Sequence, residues 1–298
     1  MIEGVLVEGL VYGILALGVF ISFRVLDFPD LTVEGSFPFG AAVGSALIVA
    51  RIPVPLALGS AFLAGALAGA VTSGVYHGLR VPPLLAGIVT MTGLYSVDLR
   101  VLGGRANLPL IAFNPVMRAA ESWLGGSLDP SVQAFLAFLL TAGALVLILD
   151  LFFHTEAGIA LGALGDNEAS VVSAGVDPVR LRTAGIALAN GLAGLSGAFA
   201  ASYQGFADAN FGAGIVAAGL ASVMIGEFLF RTNRIGGQLA RVLLGSVLFR
   251  GIMYAGRSWG YLGGITPNDL RLLTAVLIVA SIAASRYKGG TAPARRRG

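Results

Sequence analysis

The stretch RVLDFPDLTVEGSF, Arg24–Phe37, places three carboxylates, Asp27, Asp30 and Glu34, within eight residues of one another and around Pro29. Long apolar runs flank it on both sides. A charged side chain at a bilayer centre costs roughly 2.5–3.5 kcal/mol on insertion scales. Three together are therefore either outside the membrane or there for a reason. Pro29 lacks an N–H and disfavours helical backbone at Phe28. The pattern predicts a helix ending before Pro29 and a new one carrying Thr32, Glu34 and Ser36, capped by Asp27 or Asp30.

The flanking runs set the fold class. The chain has 298 residues, 56% hydrophobic and only 12% charged, against about 25% charged in soluble domains. Runs such as AFLAFLLTAGALVLILDLFF, 134–153, do not alternate, so they read as helices rather than barrel strands. The class is an all-α polytopic membrane protein. Nine segments, within a range of eight to ten, are expected at 5–23, 32–50, 54–77, 84–102, 131–153, 183–203, 212–230, 237–256 and 269–286. With the N-terminus outside and the C-terminus inside, twelve basic residues fall on the inner side and six on the outer, the sense of the positive-inside rule. Trp123 and Trp259 then mark the outer interface. An outer segment, 103–130, carries Pro109, Pro115 and Pro130, with a short surface helix expected around 115–125. An inner one, 154–182, is long for a simple connection.

Several function classes are excluded. There is no cysteine and there are only two histidines, His77 and His154, so thiolate chemistry and a multi-histidine metal centre are not expected. No catalytic constellation is present. The only lysine, Lys288, lies in YKGG, so the phosphate-binding pattern that needs a lysine is missing. The start MIEGVLVEGL lacks the basic region of a cleaved signal peptide. The end RYKGGTAPARRRG reads as a flexible basic tail, 289–298, lying on anionic lipid rather than on nucleic acid.

Within the helices, Gly40 with Gly44, Gly65 with Gly69, and Gly191, Gly194 and Gly197 are read as surfaces for close packing inside one subunit. Glu227 and Arg231, four apart, are expected to pair along a helix. Asp98 and Arg100 are expected to reach headgroups or the outer loop. Asn190 is expected to bond another helix, with lining of a pathway as the other reading. Asp208 and Asn210 are expected to cap the helix that follows them. DFPDLTVEGSFPFGAAVG after the first helix and GFADANFGAGIVAAGLAS after the sixth share acids, a breaker and a glycine-rich helix. In opposite orientations they form a candidate inverted repeat with paired helix breaks.

Residues 165–199, GDNEASVVSAGVDPVRLRTAGIALANGLAGLSGAF, resemble the cytoplasmic coupling segment and following helix of ABC-importer permeases of the branched-chain amino acid and ribose type. ALGVFISFRVLDFPDLTVEGSFPFGAAVG resembles their broken second-helix region. TMTGLYSVDLRVLGGRANLPL resembles a subgroup paired with binding proteins for aromatic or other amino acids. The chain departs where Gly158 is followed by IALGAL, a place where many relatives carry arginine. The resemblance implies one permease domain, 1–288, with 154–182 as its coupling segment. It implies that Gly165, Asp166, Asn167, Glu168 and Gly175 meet an ATPase, with Asp166 capping a helix through 167–174. The pathway it implies is lined by Asp27, Phe28, Pro29, Asp30, Thr32, Glu34, Ser36, Asn190, Asp208 and Asn210. It also implies a second permease subunit, a homodimer in preference to a heterodimer, two ATPase subunits carrying ATP and magnesium, and an external solute-binding protein. The chain itself would be no enzyme and hold no cofactor, in the cell (inner) membrane, moving an amino acid or similar solute. The other reading is an ion- or proton-coupled secondary transporter, which suits buried acids equally well.

Overall fold

A computed structural model describes residues 2–110, 129–230 and 232–259, together with 272, 274–276, 278 and 279. Ten helices lie among the residues up to 259. They are α1 (Ile2–Phe20), α2 (Val33–Val49), α3 (Val54–Leu79), α4 (Pro83–Val101), α5 (Pro130–Phe153), α6 (Glu156–Asp166), α7 (Glu168–Ser173), α8 (Pro178–Gln204), α9 (Ile215–Leu229) and α10 (Ile235–Trp259). A π-helical turn, Ile21–Val25, continues α1. Two short strands, β1 (Asn107–Pro109) and β2 (Phe206–Asp208), pair antiparallel with Leu108 opposite Ala207. The first eight expected segments coincide with α1–α5 and α8–α10. The expected surface helix around 115–125, most of the ninth segment and the basic tail lie outside the described residues.

Prolines open several helices in the first turn, where a missing N–H costs nothing: Pro83 in α4, Pro130 in α5 and Pro178 in α8. Six helices are long and apolar enough to cross a membrane, and α2 and α9 are apolar but shorter. At 17 and 15 residues, they extend about 25 and 22 Å at 1.5 Å per residue, less than the roughly 30 Å hydrocarbon layer. They are half-helices. Their partners supply the rest of the span.

The centre of the bundle is α8, 83% buried along its spanning window, whereas α5 is 17% and α4 is 22% buried. The glycine spacing explains how α8 is enclosed. A side chain at Gly40 would collide with the Gly194 backbone, and one at Gly65 or Gly69 with the carbonyls of Asn190 or Ile186. These helices approach backbone to backbone, as expected for small residues in a membrane interior. The packing is within one chain. The pairs 36 with 190, 40 with 194 and 44 with 198 advance together, so α2 runs parallel to α8; α1, α3 and α10 follow the alternating directions of the chain. One end of the bundle carries α6 and α7, and the opposite end carries β1 and β2.

Candidate functional site

The break after α1 is built from a few local rules. The π turn closes with the Leu26 N–H donating to the Ile21 carbonyl, and the Phe28 N–H reaches back to Ser22 at 2.8 Å. Asp27 then takes φ +50°, a left-handed conformation that aspartate tolerates better than most residues. Pro29 stops helical continuation. Asp30 Oδ1 accepts the Thr32 N–H at 2.8 Å, which restarts the chain as α2. Neither acid is the N-cap of α2, which is Thr32 without a side-chain cap: Asp30 holds the turn just ahead of it, and Asp27 is left exposed.

The three acids have separate fates. Asp30 is wholly buried, and its Oδ2 accepts the Asn190 amide at 2.6 Å. Asn190 Oδ1 in turn accepts the Ser36 hydroxyl at 2.7 Å, and Thr32 shares a hydrogen bond with Thr72 on α3 at 2.6 Å. This connected network locks the break to α2, α3 and α8, so Asn190 does bond another helix. Asn190 lies twelve residues into α8, about 18 Å along its axis. The break is therefore deep within the bundle, where irregular backbone survives only inside protein or beside a wet cavity.

Glu34 belongs to a different group. Its carboxylate faces the backbone N–H groups of Gly214 and Val216, at the start of α9. Pro38 inside α2 deprives the Glu34 carbonyl of its helical donor, and Gly212 packs against that carbonyl too closely for any side chain. The N-termini of the two half-helices therefore meet, α2 running toward the strand end and α9 away from it. The acid-and-breaker segments noted after the first and sixth helices do lead into paired short helices. Asp208 and Asn210 do not cap α9, because its N-cap is Gly214 at φ +79°. Asp208 instead folds its own turn, with Oδ1 accepting the Asn210 N–H at 2.7 Å.

A cavity of about 220 Å³ lies at this junction, walled by Glu34, Pro38, Met91, Tyr95, Asp98 and Asn210, with exposed Thr92 at its rim. Asp98 does not reach headgroups. It is fully buried, and neither carboxylate oxygen has a hydrogen-bond partner. The sequence did carry a signal for this. Gly87, Met91, Leu94 and Asp98 fall at the helical spacing of one face, and Gly87, Met91 and Leu94 pack against the α2 start.

At the other end, 154–182 folds into α6, α7 and the start of α8. Thr155 caps α6, Asn167 caps α7 by accepting the Ala169 N–H at 3.1 Å, and Asp177 caps α8. Asp166 is the last residue of α6 rather than the cap of α7, since Asn167 holds the extended backbone (φ −157°) that a cap requires. Gly175 ends α7 at φ +78°. Residues 166–170 are exposed, while Gly165 is pressed on the Val25 carbonyl of the π turn, where a Cβ would collide. Glu168 pairs with Arg182 at 2.8 Å, Arg182 lies over the Tyr76 ring, and Tyr76 meets Phe28 edge-on at 5.2 Å. Thus α6 touches the π turn directly, and α7 reaches Phe28 through Arg182 of α8 and Tyr76 of α3. The expected pairing of Glu227 with Arg231 falls on a residue outside those described. Glu227 grips Arg24 of the π turn with two bonds of 2.6 Å, and Arg241 stands 3.7 Å away.

Residues 1–281 match the family described as branched-chain amino acid transport system, permease component. The chain belongs to this permease family. The permease is 34% identical to the tyrosine transport system permease protein of Clostridioides difficile (strain R20291), over 95% of this chain and 90% of that one. It is 29% identical to the uncharacterized protein RP368 of Rickettsia prowazekii (strain Madrid E), over 90% and 91% of the two chains. PsaBC from Streptococcus pneumoniae in complex with Fab is similar in fold, with a TM-score of 0.52 at 13% identity, covering 93% of the permease and 89% of that chain. The protein is thus a multi-pass membrane permease component and not itself an enzyme. Of the residues named from sequence as pathway-lining, Glu34 and Asn210 line the cavity at the half-helix junction, whereas Asp30, Thr32, Ser36 and Asn190 form the buried network.

Proposed function

We propose that this permease is the membrane-spanning subunit of an ATP-driven importer for an amino acid of the tyrosine class. It works in the cell (inner) membrane with its N-terminus outside, as a homodimer in preference to a heterodimer. Two ATPase subunits dock inside, and a solute-binding protein delivers from outside. The single observation that carries this reading is the α6–α7 pair. Its outer residues, Asp166, Asn167 and Glu168, are free to meet a partner, while Gly165 and the Glu168–Arg182–Tyr76–Phe28 chain contact the helix break. A push on α7 is delivered to the break and, through α2, to the cavity at Glu34. Gly175 shapes the exit from this platform. The pathway runs past Asp27, Phe28 and Pro29 at the α6–α7 end and past Glu34, Asp208 and Asn210 beyond it. The polar rim of α4, Thr92 and Tyr95, is exposed in a single chain and is suited to a lumen shared by two copies. The solute class is taken from the 34%-identical relative. An ion-coupled transporter has no use for a projecting helical pair, which favours the importer.

The test is reconstitution of the permease with its ATPase and binding protein in vesicles. Tyrosine uptake should need ATP and persist when ion gradients are collapsed. Uptake driven by a proton or sodium gradient without ATP would establish the secondary transporter instead.

A further inference from the structure

The cavity at the half-helix junction contains an imbalance that the fold leaves unresolved. Asp98 is 0% exposed, lines the cavity, and offers two oxygens with no donor on either. A buried carboxylate without donors is costly, and most buried polar atoms in native structures are satisfied. None of its neighbours donates to it in this arrangement. Glu34 is itself an acceptor, facing the start of α9, the Thr92 hydroxyl donates to Ile88 at 2.7 Å, and the Asn210 amide donates to Asp208. The Tyr95 hydroxyl and the second Asn210 N–H are turned elsewhere. Among the described residues no lysine, arginine or histidine lines the cavity. Among the described residues no group of three or more histidines, cysteines or acids could hold a metal ion. What completes the site is a compact group rich in donors and carrying positive charge. The volume of about 220 Å³ suits a small cationic head rather than a whole aromatic solute.

The geometry points to Asp98, with Glu34 beside it, as the place where the permease receives the primary ammonium group of its solute. The identity of that solute rests on the importer reading above; the preference for positive charge rests on the cavity alone. The Asp98 oxygens are covered in this arrangement; as the solute passes, α4 uncovers them to the ammonium, which donates to them, while Glu34 adds to the negative potential. No bond is made or broken.

The charge preference can be read without knowing the solute. In the cysteine-free permease, Thr92→Cys places one thiol at the rim of the cavity. Its modification rates by a trimethylammonium-ethyl and a sulfonatoethyl methanethiosulfonate are each divided by the rate with free 2-mercaptoethanol. The cationic reagent is expected to react about tenfold faster after this correction, as one nearby charge of low screening would produce. Adding Asp98→Asn should remove most of that preference and adding Asp98→Glu should retain it, each variant checked for a single elution peak. Equal corrected rates in Thr92→Cys alone overturn the proposal, and that measurement needs no Asp98 variant to fold. A preference untouched by Asp98→Asn overturns it as well. In vesicles with the ATPase and binding protein, Asp98→Asn should lower tyrosine uptake at least tenfold, and normal uptake would count against the assignment. If the unaltered complex fails to move tyrosine, the solute class falls, while the reagent preference continues to judge the site.

Discussion

At the scale of single residues, the acids of Arg24–Phe37 separate by what surrounds each one. Asp30 is joined to Asn190 and Thr32 and is structural, so its partner should be as sensitive as it is. Replacing Asn190 with alanine strands Asp30 Oδ2 and the Ser36 hydroxyl in the interior. Leaving such groups unpaired costs about 1–3 kcal/mol, more where one is charged. The expected outcome is a melting midpoint lowered by several degrees in detergent, followed by fluorescence-detected size exclusion. Glu34→Gln keeps an acceptor for Gly214 and Val216 but removes the charge. It should assemble normally and reduce uptake severalfold; uptake equal to the unaltered protein would mean that only its hydrogen bonds matter. The helix break itself was legible from Pro29 and its acids. Which acid would be satisfied was not, because Asn190 is 160 residues away and nothing local encodes that meeting.

At the scale of elements, helix positions followed directly from apolar run length and from the prolines at helix starts. The features that sequence misplaced all depend on tertiary partners. Asp98 turns inward because α4 packs its Gly87–Met91–Leu94 face on α2, and α9 lying parallel to α1 gives Glu227 a partner in Arg24 that sequence did not foresee. The placement of the α7 cap one residue later, at Asn167, follows from α6 running straight on through Asp166. Gly165 is the element-scale hinge point, since α6 meets the π turn there without side-chain padding. Gly165→Ala should wedge α6 from the break, an overpacking of roughly 1–3 kcal/mol. The folded permease should persist, with ATP hydrolysis by the complex no longer stimulated by loaded binding protein. Stimulation and uptake at normal levels would show that α6 transmits nothing at this contact.

At the scale of the whole molecule, the alternating helix directions put Leu108 and Ala169 at opposite ends of the bundle. Single cysteines at these positions should label from opposite sides of sealed cells with an impermeant maleimide, Leu108 from outside and Ala169 from inside. Labelling of both from one side would break the arrangement. The meeting of two short helices also bears on biogenesis. Neither α2 nor α9 is as long as the bilayer is thick, and Asp30 Oδ2 has no partner until α8 has been made, although Oδ1 can take the Thr32 N–H at once. Translation at about 5–20 residues per second separates Asp30 from Asn190 by roughly 8–30 s. For that interval α1 is long enough to anchor the nascent hairpin, but its short second helix follows an acid with one oxygen still unpaired. The same contacts that lock the break in the finished permease therefore create a checkpoint in its synthesis, at which a stalled or truncated chain exposes itself to membrane proteases.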